Sequence, residues 1–406
     1  MPDNMYTNSR FHFIQYTCFI LIFFSFLQCS NPNKATHISI NKNDTKIFKR
    51  GLKGGEKHSY TIQPKAGYFL HLKAEQHDLD LIAKVSSEDG QFTEQFDSPN
   101  GELEAEDIYL LSDADRQYRI EIYPAQKYAD PGNYVLRLVR SAAASETDKK
   151  WMAALSATQK GDKMRTQTDT RLQSIQQYES AMNDWMMLKD TLQYARAMRS
   201  MGFVYIRLRN YNKAIETFAA LLPLWKSLRD TRAEGFTYLI IGRVYDLQKE
   251  YKKSLEYNLA SLPYWIKAND FDQESFVLMN IGNLYSYLGD KQTMNTYFIQ
   301  ALQKNESSKR PSIKAVILRD YGNSLIRISD NDKAVQMYEQ SVKQWQATAN
   351  KPEEARTAIL LADYFSKNGS TQKAVHYYRQ AIDIWEKLNQ PEEVKTTQTA
   401  LAKLTN

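Results

Sequence analysis

Between residues 36 and 140, apolar and polar residues alternate in short runs that are separated by turn sequences. Seven runs show this period of two: "HISI", "HSYTIQ", "YFLHLKAE", "DLIAKVSS", "DIYLLSD", "QYRIEIYP" and "NYVLRLVR". Such alternation is typical of strands that bury one face, and "KGGEK", "EDGQ", "SPNGE" and "ADPGN" supply turns between them. The pattern predicts a small antiparallel β-sandwich over residues 36–140.

After a polar linker at 141–150, the apolar spacing becomes that of amphipathic helices. Small residues recur every forty positions, at Gly202, Gly242, Gly282, Gly322 and Ala362. A fixed period of this length indicates stacked helix pairs, so the whole chain is expected to be α + β, with an all-α superhelix after the sandwich. We predict an irregular helical pair at 151–190, five repeats at 191–389 and a capping helix at 390–406.

Five of the six tryptophans lie at a single phase of this repeat. They are Trp185, Trp225, Trp265, Trp345 and Trp385, and only Asn305 interrupts the series. Aromatic residues that recur at one helical phase are far more often core than ligand contacts, and an exposed ladder of tryptophans would favour aggregation. We therefore expect them to pack between repeats.

Residues 1–29 contain the only strongly apolar run, with an uninterrupted core from Thr17 to Leu27 after Arg10. The core suits a signal peptide and is short for a membrane span. The following "FLQC" and "SNPNK" resemble a bacterial lipoprotein signal, although the residues before the cysteine are bulkier than that signal prefers. The resemblance implies that Cys29 receives lipid and becomes the first mature residue, and an uncleaved hydrophobic anchor is the alternative.

Both interpretations predict an exported protein that is attached to a membrane of the bacterial cell envelope. For the lipoprotein, we expect the outer membrane, with the body facing the periplasm or the cell surface.

Composition and charge exclude several classes of function. The net charge of +6 over 406 residues comes without a dense Lys/Arg tract, which disfavours nucleic acid as a partner. Both cysteines, Cys18 and Cys29, precede the folded body, so it has no thiol nucleophile, and the six histidines form no close pair. The chain also lacks GxSxG, P-loop and GxGxxG sequences. We predict no catalytic residue, no metal site and no cofactor.

One acidic cluster raises the question of calcium. It comprises Glu102, Glu104, Glu106 and Asp107, with Asp78 and Asp80 nearby in sequence. Oxygen ligands suit Ca²⁺, but no EF-hand-like loop is present, and charged loops are usually only solvated. We therefore predict no calcium site here.

Two family resemblances emerge from these segments. The stretches "LKGGEKHSYTIQPKAGYFLHLKAEQHDLDLIAKV", "QYRIEIYP" and "PGNYVLRL" resemble the bacterial pre-peptidase C-terminal sandwich, in the version that precedes repeats in CHAT-domain proteins. The G-x-x-Y spacing at Gly242 and Tyr245 and the A-x-x-x-Y spacing at Ala334 and Tyr338 resemble tetratricopeptide repeats of the long-period type. The CHAT protease requires a Cys/His dyad after the repeats, and this sequence has no cysteine there.

The tetratricopeptide resemblance implies a concave groove made by the first helix of each repeat. Positions three before, one after and five after the small residue share a face of that helix. This face and its neighbours predict the following peptide-binding residues: Arg196, Arg199, Phe203, Arg207, Arg243, Asp246, Asn283, Tyr287, Arg319, Asn323, Arg327, Arg356, Asp363 and Lys367. Arginine binds carboxylates in bidentate geometry, and asparagine can hold a peptide backbone. The alternative is that these arginines are solvated or paired with acidic residues on neighbouring helices.

The sequence therefore predicts a non-catalytic, membrane-anchored scaffold whose groove binds a partner protein or an extended, acidic peptide. The alternative is a recruiting or regulatory subunit, or a remnant, of a CHAT protease system.

Overall fold

The computed structural model describes residues 35–38, 47–97, 105–308 and 310–405. The predicted lipidation site Cys29 and the acidic residues Glu102 and Glu104 lie outside these ranges. No helix of the described part of the chain has both the length and the hydrophobicity that crossing a membrane requires.

Nine strands of the described residues form two packed sheets. The strands are β1 (Thr36–Ile38), β2 (Ile47–Leu52), β3 (His58–Ile62), β4 (Tyr68–His77), β5 (Leu81–Ser87), β6 (Thr93–Phe96), β7 (Glu106–Leu111), β8 (Tyr118–Pro124) and β9 (Gly132–Ala143). One sheet has the order β1-β3-β8-β5-β6 and the other β2-β9-β4-β7. Alternating burial along β5 and β8 matches the apolar positions that the sequence provides. The predicted β-sandwich is confirmed.

The sandwich differs from the prediction in two respects. Strands β2 and β6 were not among the seven predicted runs, because "IFKRGL" does not alternate between apolar and polar residues and "TEQF" is only four residues long. In addition, β1 pairs with β3 in parallel, whereas the other pairs are antiparallel within the described residues. The interior contains a polar contact at its centre, where the hydroxyl groups of Tyr60 and Tyr134 lie 2.7 Å apart.

Thirteen helices follow the sandwich in the described residues. They are α1 (Glu146–Thr166), α2 (Arg171–Met187), α3 (Thr191–Arg207), α4 (Tyr211–Leu228), α5 (Thr231–Leu247), α6 (Tyr251–Ala268), α7 (Phe271–Leu288), α8 (Lys291–Asn305), α9 (Pro311–Arg327), α10 (Asn331–Ala347), α11 (Lys351–Lys367), α12 (Thr371–Lys387) and α13 (Pro391–Thr405). They pair as six hairpins, α1/α2 to α11/α12, with α13 as the final helix. We call the first helix of each hairpin its A helix and the second its B helix.

The repeated small residue lets the two helices of a hairpin approach closely. A Cβ atom on Gly202 would lie 2.8 Å from the Phe218 ring, and one on Gly322 would lie 2.6 Å from the Tyr338 ring. Such distances are too short for real side chains, so glycine sets the spacing of these helices. The sequence prediction of close packing at this position is confirmed.

The five tryptophans of the forty-residue series are buried, with exposed fractions between 0 and 2%. Each lies on a B helix, and in the third hairpin the Trp265 ring lies 3.1 Å from where a Cβ atom on Gly235 would be. Trp265 also packs with Val277 and Ile281 of the next A helix. The expectation that these residues form core rather than a binding site is confirmed.

The first hairpin repeats the same contact as the others. A Cβ atom on Gly161 would lie 2.9 Å from the Tyr178 ring, and the indole of Trp185 is buried beside it. The longer α1 and the turn at 167–170 displace the small residue by one position from the forty-residue series, which explains why the pair looked irregular.

Residues 141–150 do not form the predicted linker. Strand β9 continues to Ala143, and α1 begins at Glu146, so only two residues separate the sandwich from the helices. Ser145 and Asp148 form a capping box at the start of α1, and Arg140 of β9 contacts Asp148 at 2.6 Å. These bonds connect the last strand directly to the first helix.

Candidate functional site

The C-terminal halves of the A helices carry a row of exposed side chains. They are Arg207 of α3, Arg243, Asp246 and Leu247 of α5, Tyr287 of α7, Arg327 of α9 and Lys367 of α11. We call this set the open strip. Most of its members lie four or five residues beyond the small residue, where the B helix no longer covers the A helix.

The centre of the open strip is an aromatic and cationic cluster. The guanidinium carbon of Arg327 lies 3.7 Å from the centroid of the Tyr287 ring, and Tyr251 stacks on Tyr287 with centroids 4.3 Å apart and an interplanar angle of 9°. Arg327 also donates a hydrogen bond to the hydroxyl of Ser286. Although these contacts fix its position, Tyr287 remains 44% exposed. It is therefore a preorganised surface for a partner group.

The open strip has a positive charge that its own residues do not neutralise. Four cationic side chains accompany the single carboxylate of Asp246, a formal net charge of +3. Partial burial raises the pKa of Asp246, while the charges of Arg243 and Arg327 act in the opposite direction. Within the described residues, neither Arg207, Arg243 nor Lys367 forms an ion pair.

The structure corrects two of the predicted groove residues. Arg199 is only 1% exposed, and its guanidinium carbon lies 5.4 Å from the centroid of the Trp225 ring. Phe203 packs in the interior against Phe218 and Phe236, with centroid distances of 5.3 and 6.4 Å. Both were assigned by spacing along the helix, but this part of α3 faces its neighbouring helices rather than solvent.

Two further predicted residues share the carboxylate of Glu353 on α11. Arg319 of α9 contacts Glu353 of α11 and lies 3.6 Å from Asp320. Arg356 contacts Glu353 as well, and its guanidinium lies 5.8 Å from the Trp385 ring centroid. The alternative of arginines paired with acidic residues on neighbouring helices thus describes Arg319, whereas Arg356 pairs within its own helix.

The remaining predicted residues form hydrogen bonds within the solenoid. Asn283 accepts a bond from Ser324, Asn323 accepts one from the Tyr338 hydroxyl at 2.8 Å, and Asp363 accepts one from Tyr378. These polar side chains connect A helices to each other or to their B helices. They support the register of the strip.

Arg196 of α3 contacts the sandwich instead of a groove. Its Nη1 lies 3.1 Å from Oδ2 of Asp107, whose Oδ1 is 2.8 Å from Nε2 of His71. Burial alone would raise the pKa of Asp107, but the hydrogen bond from His71 and the charge of Arg196 outweigh it and hold that pKa below its usual value. Asp107, a member of the acidic cluster, is therefore an ion-pair partner of the solenoid.

No group of three or more metal-ligating side chains occurs in the ranges that the structure describes. Sequence reasoning missed Tyr251, because its contact with Tyr287 joins the start of one hairpin's B helix to the end of the next A helix.

Comparison with known families supports the helical part of this description. The family model of the tetratricopeptide repeat matches residues 193–267 and 314–387. These two segments match tetratricopeptide repeats. Such repeats point to a protein–protein interaction scaffold. A comparison with curated proteins gave no match.

Several solved structures are similar. The apo form of RapI is 18% identical, with 61% of this chain and 86% of that chain covered and a TM-score of 0.44. A signal-transduction ATPase with a tetratricopeptide-repeat sensor from Pyrococcus horikoshii is 14% identical, with coverage of 61% and 40% and a TM-score of 0.46. A Rap protein complexed with competence and sporulation factor is 14% identical, with coverage of 61% and 74% and a TM-score of 0.41.

Proposed function

We propose that the chain is a membrane-anchored, non-catalytic scaffold whose open strip binds a partner protein through an extended, acidic segment. The observation that carries this proposal is the exposed Tyr287, stacked between defined neighbours, in a row of cations that lack ion pairs among the described residues. Guanidinium groups bind carboxylates in bidentate geometry, and an aromatic ring beside them adds apolar contact area.

The strip suits an extended segment because its members come from five successive A helices. Neighbouring packed helices are about 8–10 Å apart, so five helices span about 40 Å. An extended chain covers about 3.3 Å per residue, so about twelve residues would cross the whole strip. A segment with acidic residues every third position would meet one A helix with each of them.

The membrane attachment in this proposal rests on the apolar run before Cys29 and on the lipoprotein-like sequence around it. Either a lipidated Cys29 or an uncleaved anchor would confine the scaffold to a membrane surface. There it would recruit its partner from the adjacent compartment. If the partner is a protease of the CHAT type, the chain is its recruiting subunit, and the same strip performs the binding.

The test is a crosslinking pull-down from native membranes with a charge-reversed strip. The variant carries Arg207→Glu, Arg243→Glu and Arg327→Glu. We expect it to lose the captured partner while its helical circular dichroism is unchanged, because all three side chains are exposed. Arg199 is excluded from the set, since a buried glutamate there would destabilise the hairpin.

The matched control reverses three exposed lysines on B helices, Lys226, Lys252 and Lys267, and so changes the net charge equally. We expect this variant to retain the partner. Equal capture by the strip variant and the native chain would refute binding at the strip. Peptidase activity in the purified chain would refute the non-catalytic assignment.

A further inference from the structure

A second surface on the A helices, formed by their N-terminal halves, is already covered by the β-sandwich. At one end Asp107 of β7 meets Arg196 of α3 at 3.1 Å. Next to it, the rings of Tyr109 and Trp151 pack with centroids 4.3 Å apart. This contact holds the sandwich against the first two hairpins.

At the other end, the turn that connects β8 and β9 reaches the start of α9. Oδ2 of Asp130 accepts a hydrogen bond from the hydroxyl of Ser312 and lies 3.4 Å from the Ser312 backbone nitrogen. The turn borders a cleft of ≈ 480 Å³ that Arg310 of the solenoid and Arg356 of α11 also line. The sandwich therefore contacts the first two hairpins and the fifth, and the cleft beside it extends to the sixth.

The contact at α9 supplies an N-terminal hydrogen-bond acceptor that other A helices obtain from their own N-cap residue. Helices α3, α5, α7 and α11 each have an Asp or Asn at the N-cap, which accepts a bond from the backbone N–H three residues on. These caps lie at positions 190, 230, 270 and 350. The forty-residue series places Arg310 at the cap of α9, and Arg310 forms no cap bond.

An arginine side chain cannot accept a bond from the start of α9, and its charge is unfavourable at the positive end of a helix dipole. The Ile313 N–H bonds the Arg310 carbonyl, so the Ser312 N–H is the group that needs an acceptor from outside the helix. Asp272 of α7 lies 3.8 Å from Arg310 and offsets part of its charge, and a further carboxylate adds to this effect while it bonds Ser312. Asp130 of the sandwich supplies that carboxylate across 182 residues of sequence.

We propose that the sandwich is an intramolecular acidic ligand of the solenoid, held by Asp107 on Arg196 and by Asp130 at the uncapped α9, and that an acidic segment of a partner competes with it. The occupied surface accepts carboxylates, so it prefers an acidic partner to a neutral or basic one. Displacement of these two carboxylates opens the places that they occupy beside the open strip and lengthens the site available to a partner. The competition rests on the proposed function, whereas the docking itself does not.

The docking is tested by hydrogen exchange of the first turn of α9 in the full chain. Asp130→Ala should raise exchange there by about tenfold, the equivalent of losing one N-cap bond. Asp113→Ala, at an exposed sandwich acid outside both contacts, should leave it unchanged. Adding Arg310→Asp to Asp130→Ala gives α9 its own cap and should restore the slow exchange. Unchanged exchange in Asp130→Ala would overturn the proposal.

The competition is tested with a fluorescent octaglutamate peptide and anisotropy. The variant Asp107→Asn with Asp130→Ala should bind this probe several-fold more tightly than a control, Glu56→Ala with Glu88→Ala, that removes the same charge from exposed turns of the sandwich. Binding equal to that control would overturn the competition, because it would reflect net charge alone.

The two proposals fail independently. If exchange at α9 responds as expected but the strip variant keeps its partner, the proposed function is wrong and the docking stands. If the strip variant loses its partner but exchange at α9 does not respond, the docking is wrong and the proposed function stands.

Discussion

Replacing Trp265 by alanine tests the packing on which the whole solenoid depends. The side chain is fully buried, against Gly235 of its own A helix and against Val277 and Ile281 of the next. Burial of a tryptophan removes about 200 Å² from water, which stabilises the fold by about 5 kcal/mol at 25 cal/mol per Å². Its indole N–H has no partner among the described residues, which costs about 1–3 kcal/mol. The net loss on substitution is therefore about 3 kcal/mol.

Urea unfolding followed by circular dichroism at 222 nm measures this loss, and hydrogen exchange should show it concentrated in the third and fourth hairpins, because repeats stabilise their neighbours. Asn305 is the matched control. It lies at the same repeat phase on α8 and is 6% exposed, and its amide nitrogen lacks a partner among the described residues. We expect Asn305→Ala to cost below about 1 kcal/mol. A Trp265→Ala cost equal to that of Asn305→Ala would refute the packing argument.

Three further outcomes are expected. Cys29→Ser should release the protein from membranes on fractionation if lipid anchors it, and unchanged partitioning would exclude lipidation. Gly322→Ala should destabilise the chain by about 1–3 kcal/mol in urea unfolding, and adding Tyr338→Leu should recover part of that loss if the clash with the ring is its cause. Because the pKa of Asp107 is lowered, its contribution is present above the unfolded value near about 4 and is lost as the pH falls through the native value. The native chain should therefore lose more stability between pH 6 and pH 3 than Asp107→Asn does, and equal losses would refute the ion pair with Arg196.

Periodicity in the sequence was sufficient to predict the solenoid. The positions of Gly242, Trp265 and their equivalents follow from packing between adjacent helices, and this packing repeats every forty residues. Such periodic packing can be recognised from a single sequence, because each repeat places similar residues at the same helix–helix contacts. The strands of the sandwich were predictable because apolar and polar residues alternate along them. Its resemblance to the pre-peptidase C-terminal sandwich remains a prediction.

The surface of the solenoid was less predictable, because a helical face contacts whatever lies next to it. The position three before the small residue looked exposed, yet there Thr158 accepts a bond from the Trp185 indole and Arg199 lies over Trp225. In these two hairpins the position faces the tryptophan of its own hairpin. Contacts between distant segments, such as Asp107 with Arg196, left no periodic signal. The arginine at position 310 was a usable signal, since it interrupts a series of cap residues.

The most direct test of the proposed binding surface is site-specific photocrosslinking in native membranes. A benzoylphenylalanine replaces Leu247 within the open strip, or Ile299 on the B helix α8 as the control. The two native side chains are similarly exposed, at 45% and 48%. We predict a partner adduct from position 247 and none from position 299. An adduct from 299 but not from 247, or the same adduct from both, would contradict binding at the open strip.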